Sequence, residues 1–137
     1  MKHIIALQGN PNTGKSTTIA ICYDKMIENG YTPLRKRRSD SYDFSVIFLK
    51  GNLKIGITSY GDTPTLILLK VNIFIQAGCD IIICACRGND STKETVENIP
   101  VYTKDFVIKT EIKDESLHKV SNERDAGILF KKIEECM

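Results

Sequence analysis

The chain alternates between short continuous apolar runs and longer segments in which apolar residues recur at every third or fourth position. A short continuous run is typical of a buried strand, and the longer spacing is typical of a helix packed on a sheet. Strands are therefore predicted at 3–8, 44–49, 53–58, 80–86 and, more weakly, 105–109. Helices are predicted around 19–27, over 66–77, over 91–98 and from about residue 121 onward. This order predicts an α/β fold, a three-layer αβα sandwich with a mostly parallel sheet.

Three details refine these elements. The runs 44–49 and 53–58 are separated only by a short glycine-containing turn, which predicts a β-hairpin. Ser91 and Glu94 fit a capping box at the start of the short helix. The first helix, which is expected to end at 29–30, has its apolar stripe at Ile19, Cys22, Tyr23, Met26 and Ile27. The last helix has its apolar stripe at Ala126, Leu129, Phe130 and Ile133.

The most apolar stretch of the chain, 66–77, fits a helix better than a strand. Asp62 or Thr63 can cap such a helix, with Pro64 in its first turn and Gly78 at its end. Alternating apolar positions within the stretch also fit a strand. A strand here would leave no crossover before the next strand, and the helix is therefore preferred.

A glycine-rich segment joins the first strand to the first helix and fits G-x-x-x-x-G-K-[ST], the phosphate-binding P-loop or Walker A pattern. The strand before it and the helix after it are the context that this motif requires. Its glycines allow close approaches that a Cβ would obstruct. Its N–H groups and the helix N-terminus favour anionic oxygens. The residues predicted to hold phosphate are Gly9, Asn10, Pro11, Asn12, Thr13, Gly14, Lys15, Ser16 and Thr17.

Two side chains of this loop have distinct predicted roles. Lys15 would reach the β- and γ-phosphates and act in catalysis, and the Ser16 hydroxyl would ligate Mg²⁺. An ordinary glycine-rich turn is the alternative, which the complete motif and its flanking elements disfavour. The segment therefore predicts that the chain binds a nucleoside triphosphate with Mg²⁺.

Position relative to the strands sorts the acidic candidates, because ligands of open α/β sheets sit outside the carboxyl ends of parallel strands. Asp80 precedes its strand and is expected at the opposite edge. Asp62 follows a strand and is the predicted acidic partner of Mg²⁺, with a helix cap as its alternative role. Since Asp62 comes several residues after the strand, Thr58 and Ser59 are alternative outer ligands.

Arg87, Asn89 and Asp90 follow the most continuous apolar run and are also expected at the phosphate edge. Arg87 is predicted to stabilise the charge that develops on a transferring phosphoryl group. Alternatively, Arg87 pairs with Asp90 or Glu94 and has no catalytic role.

Arg35, Lys36, Arg37 and Arg38 form the densest basic cluster, in a segment predicted as an edge strand, a loop, or both in succession. The cluster can be a solvated positive face. It can also supply cations near the phosphates, for substrate binding or charge stabilisation. Nucleic-acid binding is a weaker third interpretation, because the cluster is short and has few aromatic neighbours.

Composition sets further bounds. A chain of 137 residues predicts one domain, 1–137, and 42% hydrophobic with 26% charged residues is typical of a soluble protein. A net charge of +2 does not by itself indicate nucleic acid or acidic lipid. The five cysteines form no C-x-x-C pair, and the motif begins too early for a signal peptide to precede it. We therefore expect a cytoplasmic protein with reduced thiols and no membrane anchor.

The segment 9–17 resembles the first motif of Era-type and ferrous-iron-transporter GTPases, within the P-loop nucleoside triphosphatase superfamily. Residues 62–64 are similar to the start of the Asp-Thr-Pro-Gly motif of that family, where a β-hairpin also leads into the motif. The resemblance implies that Asp62 holds Mg²⁺ through water and that Thr32 is a candidate switch threonine. Thr65 replaces the motif glycine, and no Asn-Lys-x-Asp sequence is present to recognise guanine. ATP is therefore expected in preference to GTP.

Three functions fit these observations. The first is a protein that binds a nucleoside triphosphate, with ATP as the expected ligand, and hydrolyses it with Mg²⁺. The second is a small-molecule or nucleotide kinase, in which Arg87 and the basic cluster would hold the acceptor and the transferring group. The third is a G-protein-like GTP-binding interaction module, in which the helix over 66–77 would mediate homodimerisation or contact a protein partner. Neither a membrane nor a nucleic acid is an expected partner.

Overall fold

The computed structural model describes residues 2–38, 43–88 and 91–137. In these ranges one six-stranded mixed sheet forms, in the order β2-β3-β4-β5-β1-β6. Its strands are β1 (His3–Gln8), β2 (Thr32–Pro33), β3 (Ser45–Lys50), β4 (Leu53–Thr58), β5 (Ile81–Cys86) and β6 (Thr103–Ile108). The helices are α1 (Lys15–Glu28), α2 (Pro64–Gln76), α3 (Ser91–Glu97) and α4 (His118–Glu135), with a 3₁₀ turn at Glu115–Leu117 before α4.

Strand direction changes twice across the sheet, at the β4–β3 and β3–β2 pairs. β1 pairs in parallel with both β5 and β6, and β5 pairs in parallel with β4. β3 runs antiparallel to β4, with Ser45 opposite Thr58, which confirms the predicted hairpin. β2 adds a short antiparallel edge next to β3. The sheet is therefore mostly parallel with an antiparallel hairpin at one side, as the order of apolar runs predicted.

The core forms two clusters, and alternate residues of the central strands belong to one cluster or the other. Ile5 and Leu7 of β1 pack with apolar residues of α1 and α4, whereas Ile4 and Ala6 pack with residues of α2 and α3. All six residues of β5 are buried. Burial on both faces explains why β5 has a continuous apolar run instead of an alternating one.

The buried residues of α1 match the predicted apolar stripe except at its end. In α1, Ile19, Cys22, Tyr23 and Met26 are buried, but Ile27 is 38% exposed, so its predicted inward position was wrong. Eight residues after Ile19, the helix has turned by about 80° away from that residue, which places Ile27 at the edge of the stripe.

The last helix, α4, starts at His118, earlier than predicted. The Asp114 side chain accepts a hydrogen bond from the Ser116 backbone N–H and caps the 3₁₀ turn that leads into α4. Ser121 therefore lies inside the helix, where its hydroxyl donates to the His118 carbonyl. Phe130 is only partly buried, in contrast to the other residues of the stripe, and packs edge-on against Tyr31.

Helix α2 has Thr63 as its N-cap, with the Thr63 hydroxyl accepting a hydrogen bond from the Leu66 N–H at 3.2 Å. Of the two predicted caps, Thr63 is correct and Asp62 is wrong. Gly78, with φ of +81°, follows the end of α2 as predicted. Helix α3 begins at Ser91 itself, so Ser91 is a helical residue and not the predicted cap. No helix in the described parts of the chain combines the length and apolar character that crossing a membrane requires.

Candidate functional site: a glycine-rich loop and its cleft

The loop between β1 and α1 is fixed at its base by both neighbouring strands. The Gly9 N–H donates to the Cys86 carbonyl of β5 at 3.1 Å, and the Lys109 N–H donates to the Gln8 carbonyl at 2.7 Å. A Cβ on Gly9 would lie 2.9 Å from the Cβ of Lys109, which explains the glycine at this position. The loop therefore leaves the sheet between two adjacent strand ends.

The loop backbone has left-handed conformations at alternate positions. Asn12 has φ of +63° and Gly14 has φ of +90°. Alternation of right- and left-handed residues is the geometry in which successive N–H groups converge into an anion-binding concavity. The Thr13 hydroxyl stabilises the turn by donating to the Asn10 carbonyl at 2.7 Å.

Helix α1 begins without a side-chain cap. Gly14 occupies the N-cap position, makes no side-chain hydrogen bond, and the first turn contains no acidic residue. The first N–H groups of any helix lack partners inside the helix, and the aligned peptide dipoles make this end positive. The uncapped N-terminus of this 14-residue helix is suited to an external anion.

Lys15 folds back over the loop. Its ammonium donates to the Gly9 carbonyl at 2.7 Å and to the Asn10 carbonyl at 2.9 Å. These bonds hold a positive charge above the concavity formed by the loop. The lysine, the loop amides and the end of α1 therefore form one positive surface.

This surface opens on a cleft of about 710 Å³. The volume is within the range of small-molecule and cofactor sites. The cleft is lined by residues predicted for the site, namely Pro11, Asn12, Gly14, Lys15, Ser16, Thr17, Asp62 and Arg87, and by the alternative ligand Ser59. Four further lining residues were not predicted, namely Asp43, Gly61, His118 and Asn122.

Asp43 is the acidic residue joined to the loop. Its Oδ1 accepts hydrogen bonds from the Ser16 hydroxyl and the Ser59 hydroxyl, each at 3.0 Å. Ser59 in turn accepts a bond from the Phe44 N–H at 2.9 Å, which fixes the segment before β3 to the end of β4. Because β3 runs antiparallel to β4, the segment that precedes β3 lies at the carboxyl end of β4, on the edge of the sheet where the glycine-rich loop also lies.

Asp62 does not have the capping role that was its alternative prediction. It lines the cleft but is exposed, forms no hydrogen bond or ion pair with other described residues, and leaves the capping of α2 to Thr63. β5 lies between β1 and the strand that precedes Asp62, so this strand is not the neighbour of the loop strand. Magnesium ligation by Asp62 stays a prediction, and Asp43 is the acid that contacts Ser16.

The residues around Asp43 fit a magnesium site. Neighbouring ligands of an octahedral Mg²⁺, at about 2.0–2.1 Å from the ion, lie roughly 2.9 Å apart. Ser16 Oγ and Asp43 Oδ1 are separated by 3.0 Å. The described residues contain no group of three histidine, cysteine or acidic ligands. Mg²⁺ commonly needs only one or two protein ligands, with phosphate oxygens and water completing its shell.

Arg87 follows β5, the strand adjacent to the loop strand, and its side chain lines the cleft. Its backbone N–H donates to the Thr92 hydroxyl at 2.8 Å. Its Nε is buried and has no hydrogen-bond partner. Among the described residues it forms no ion pair, and this includes Glu94, one of its two predicted partners. A guanidinium with an unsatisfied buried donor, lining the same cleft as the loop, is available to an anionic ligand. Asn89 and Asp90, also predicted at this edge, lie outside the described residues.

Two residues of α4 also line the cleft. Asn122 is 7% exposed and packs against Gly14, where a Cβ would lie 2.7 Å from the Asn122 Oδ1. That Oδ1 has no hydrogen-bond partner. His118 accompanies it in the lining, with its Nε2 2.7 Å from the Ile112 carbonyl. Neither residue could be predicted from sequence, because the packing of α4 on the loop is a long-range contact.

A buried ion pair lies beneath the loop. Lys109 Nζ is 3.0 Å from Asp125 Oδ2, and the two side chains are 0% and 1% exposed. Burial raises the pKa of Asp125, but hydrogen bonds from Thr110 and Lys109 outweigh burial and hold the pKa of Asp125 below its ordinary value. Since Lys109 also packs on Gly9, this pair connects α4 to the base of the loop.

The basic cluster lines a second, smaller space of about 170 Å³, which we call the basic pocket. It is lined by Arg35, Lys36, Arg37, Arg38, Asp43, Phe44, Ser45 and Val46. Asp43 therefore lies on both the cleft and the basic pocket. The segment contains the short strand β2 followed by a loop, the last of the predicted alternatives for its backbone.

Other predicted positions lie away from the cleft. Asp80 is at the opposite edge of the sheet, as expected, and contacts Lys2 at 3.4 Å. Thr32 is an exposed residue of β2 paired with Leu49, and does not line the cleft. Two cysteines of β5, Cys84 and Cys86, also lie in a core cluster, and burial raises the pKa of Cys84.

No protein-family model, curated protein sequence or solved structure matches this chain. The resemblance to P-loop proteins therefore rests on the sequence motif and on the geometry of the loop.

Proposed function

We propose that this protein is a P-loop nucleoside triphosphatase with a three-layer αβα arrangement, which binds ATP in preference to GTP and hydrolyses it with Mg²⁺. The observation that carries the proposal is the positive surface formed by the loop, Lys15 and the uncapped start of α1, at the floor of a cleft large enough for a nucleotide. Such a surface binds the phosphates of a nucleotide through backbone N–H groups and a lysine ammonium.

In this proposal the phosphates lie along residues 9–17. Lys15 holds the β- and γ-phosphates, and Ser16 with Asp43 would hold Mg²⁺. The ion would neutralise charge on the β- and γ-oxygens. Asp62, which is exposed on the same cleft, would contact the ion through a water molecule.

Arg87 is the proposed stabiliser of charge on the transferring phosphoryl group. It is a cation at the end of the strand next to β1, and its Nε lacks a partner in the protein. Hydrogen bonds to charged groups are stronger than neutral ones, and an arginine in this role commonly accounts for a large part of the rate. Arg87→Gln should therefore reduce turnover much more than nucleotide affinity.

The deciding experiment is a calorimetric titration of the purified chain with ATP and with GTP, each with and without Mg²⁺, combined with a phosphate-release assay. Mg²⁺-dependent binding of ATP with slow release of phosphate is the expected result. Preference for GTP would replace ATP with a guanine nucleotide as the ligand. Absence of binding to either nucleotide would overturn the proposal.

A small kinase is the second candidate, because the basic pocket adjoins the cleft at Asp43. Hydrolysis releases phosphate without any acceptor, whereas a kinase forms product only when the acceptor is present. Phosphate release that needs no added compound therefore favours the hydrolase.

The exposed side of α2 is the proposed contact for a second copy of the chain or for another protein. Leu68, Leu69 and Ile73 are each at least 43% exposed along this helix. Exposed apolar groups of this kind often mark interaction surfaces. Light scattering across a range of protein concentrations would test self-association, and Leu69→Gln should weaken it.

A further inference from the structure

We propose that the basic pocket binds the phosphate group of a second, small ligand beside the nucleotide. This inference rests on the proposed function, which places a nucleoside triphosphate in the adjoining cleft. The juxtaposition that carries it is the meeting of the basic pocket and the cleft at Asp43.

The sheet topology places the basic cluster at the phosphate edge. After β2, the Leu34 N–H donates to the Ile47 carbonyl at 2.8 Å, so the chain continues along β3 in the antiparallel direction. It thereby approaches the start of β3, which lies beside the carboxyl end of β4. The cations of residues 35–38 thus reach the edge of the sheet where the P-loop also lies.

Arg37 is held in place, unlike a typical solvated cation. Its guanidinium carbon lies 5.6 Å from the centre of the Tyr23 ring and 5.3 Å from the centre of the Phe44 ring. Its backbone N–H donates to the Tyr23 hydroxyl at 3.1 Å. Both rings are buried, so the arginine packs on the edge of the core. An ordered guanidinium loses less conformational entropy when it binds a ligand than a mobile one.

The composition of the pocket favours a phosphate over a neutral group or a carboxylate. Four cations line it, and Asp43 is the one acid among the lining residues that the structure describes. A phosphate carries more charge than a carboxylate and offers three oxygens to the planar fork of an arginine. A space of about 170 Å³ can admit such a group but is too small for a second nucleotide.

The position of Asp43 fits a second ligand that reacts with the nucleotide or senses it. Its Oδ1 already accepts bonds from Ser16 and Ser59 on the side of the cleft. A ligand anchored in the basic pocket would place its remaining atoms at the border with the cleft, next to this carboxylate. The second ligand is therefore a small phosphorylated molecule, and its anchoring group can be tested by itself.

The test is a calorimetric titration of inorganic phosphate into the full chain saturated with Mg²⁺ and a non-hydrolysable ATP analogue, so that the P-loop is occupied. We expect phosphate to bind. Arg37→Gln should weaken that binding by about tenfold, since it removes a charged hydrogen-bond donor. Lys131→Gln is the matched control, because it removes one positive charge from an exposed site on α4, and it should leave phosphate binding unchanged.

A second pocket variant and a titration without nucleotide distinguish loss of the second site from misfolding and from failure of the proposed function. Arg35→Gln removes an exposed cation of the pocket without the ring packing of Arg37, and should also weaken phosphate binding if Arg37→Gln fails to fold. Titration of Lys15→Ala without the analogue tests the basic pocket independently of nucleotide. If wild type does not bind the analogue, the proposed function fails. If phosphate does not bind, or binds the two pocket variants as tightly as wild type, the second site is excluded.

Discussion

The hydroxyl of Ser16 donates a hydrogen bond to Oδ1 of Asp43 at 3.0 Å, joining the first turn of α1 to the residue that leads into β3. This contact brings together a hydroxyl and a carboxylate at the spacing of neighbouring ligands around Mg²⁺. A bound ion would replace the hydrogen bond with two metal–oxygen bonds at little cost in movement. If the chain binds Mg²⁺ as proposed, its metal dependence should rest on Asp43.

Substitution of Asp43 should weaken the response to Mg²⁺. Asp43→Asn keeps an oxygen that can accept bonds from Ser16 and Ser59, so the fold should be retained, but it removes the negative charge that a hard cation prefers. We expect the Mg²⁺ concentration for half-maximal nucleotide binding to rise about tenfold, the scale of one lost charged interaction. A Mg²⁺ titration at fixed nucleotide measures it.

Asp62→Asn is the matched control for this measurement. It makes the same chemical change on the same cleft, at a residue without a hydrogen bond to other described residues. Its Mg²⁺ titration should shift much less than that of Asp43→Asn, because a contact through water is weaker than direct ligation. A shift in Asp62→Asn with none in Asp43→Asn would mean that Asp62, the acid suggested by the sequence motif, is the metal ligand.

Removal of the loop ammonium should abolish most nucleotide affinity. Lys15→Ala eliminates a charged donor to the phosphates and also the two bonds that hold the lysine over the carbonyls of Gly9 and Asn10. A loss of about 2 kcal/mol, or roughly thirtyfold in affinity, is expected. Calorimetry with ATP measures it, and circular dichroism should show an unchanged fold. Affinity equal to that of wild type would exclude the P-loop assignment.

Periodicity located the elements of this fold because burial controls it directly. β5 is apolar at every position since both of its faces are covered, and the glycine loop could be placed because a strand and a helix flank it. The ends of elements were less predictable. Asp114 caps a turn before α4, and that local contact moved the helix start ahead of Ser121.

The acid that contacts Ser16 was missed for a topological reason. The predicted metal ligand was an acid that follows a strand, a rule that holds for parallel strands. Asp43 precedes a strand, but β3 is antiparallel and begins opposite Thr58, at the edge of the sheet where the glycine-rich loop lies. The predicted hairpin already implied this reversal. The contact of Asn122 with Gly14 had no such signal, because it depends on how α4 packs against a distant loop.

Native-state alkylation should distinguish one cysteine from the other four. Cys22, Cys79, Cys84 and Cys86 are buried, and Cys136 is partly exposed. Burial raises the pKa of Cys22 to about 12 and that of Cys79 to about 11, and reactivity requires the thiolate. Iodoacetamide should therefore modify Cys136 in the folded protein and all five cysteines after unfolding. Mass spectrometry would show this, and native modification of Cys84 would contradict the buried β5.

The buried pair beneath the loop should give the protein a specific dependence on acid. Because the pKa of Asp125 is below its ordinary value of 3.8 in the folded chain, its contribution to stability is complete above that pH. The contribution is lost as the pH falls below 3.8 towards the folded pKa. Asp125→Asn should cost about 3 kcal/mol near neutral pH, because it leaves the Lys109 ammonium buried without a counter-charge.

Denaturant unfolding of wild type and Asp125→Asn between pH 7 and pH 2.5 would measure this contribution. The difference between the two free energies of unfolding should be constant near neutrality and should shrink in acid. The double variant Lys109→Met with Asp125→Asn should recover part of the loss, since no uncompensated ammonium then remains buried. A difference that stays the same down to pH 2.5 would mean that the Asp125 charge does not stabilise the fold, and the pair beneath the loop would then contribute only through packing.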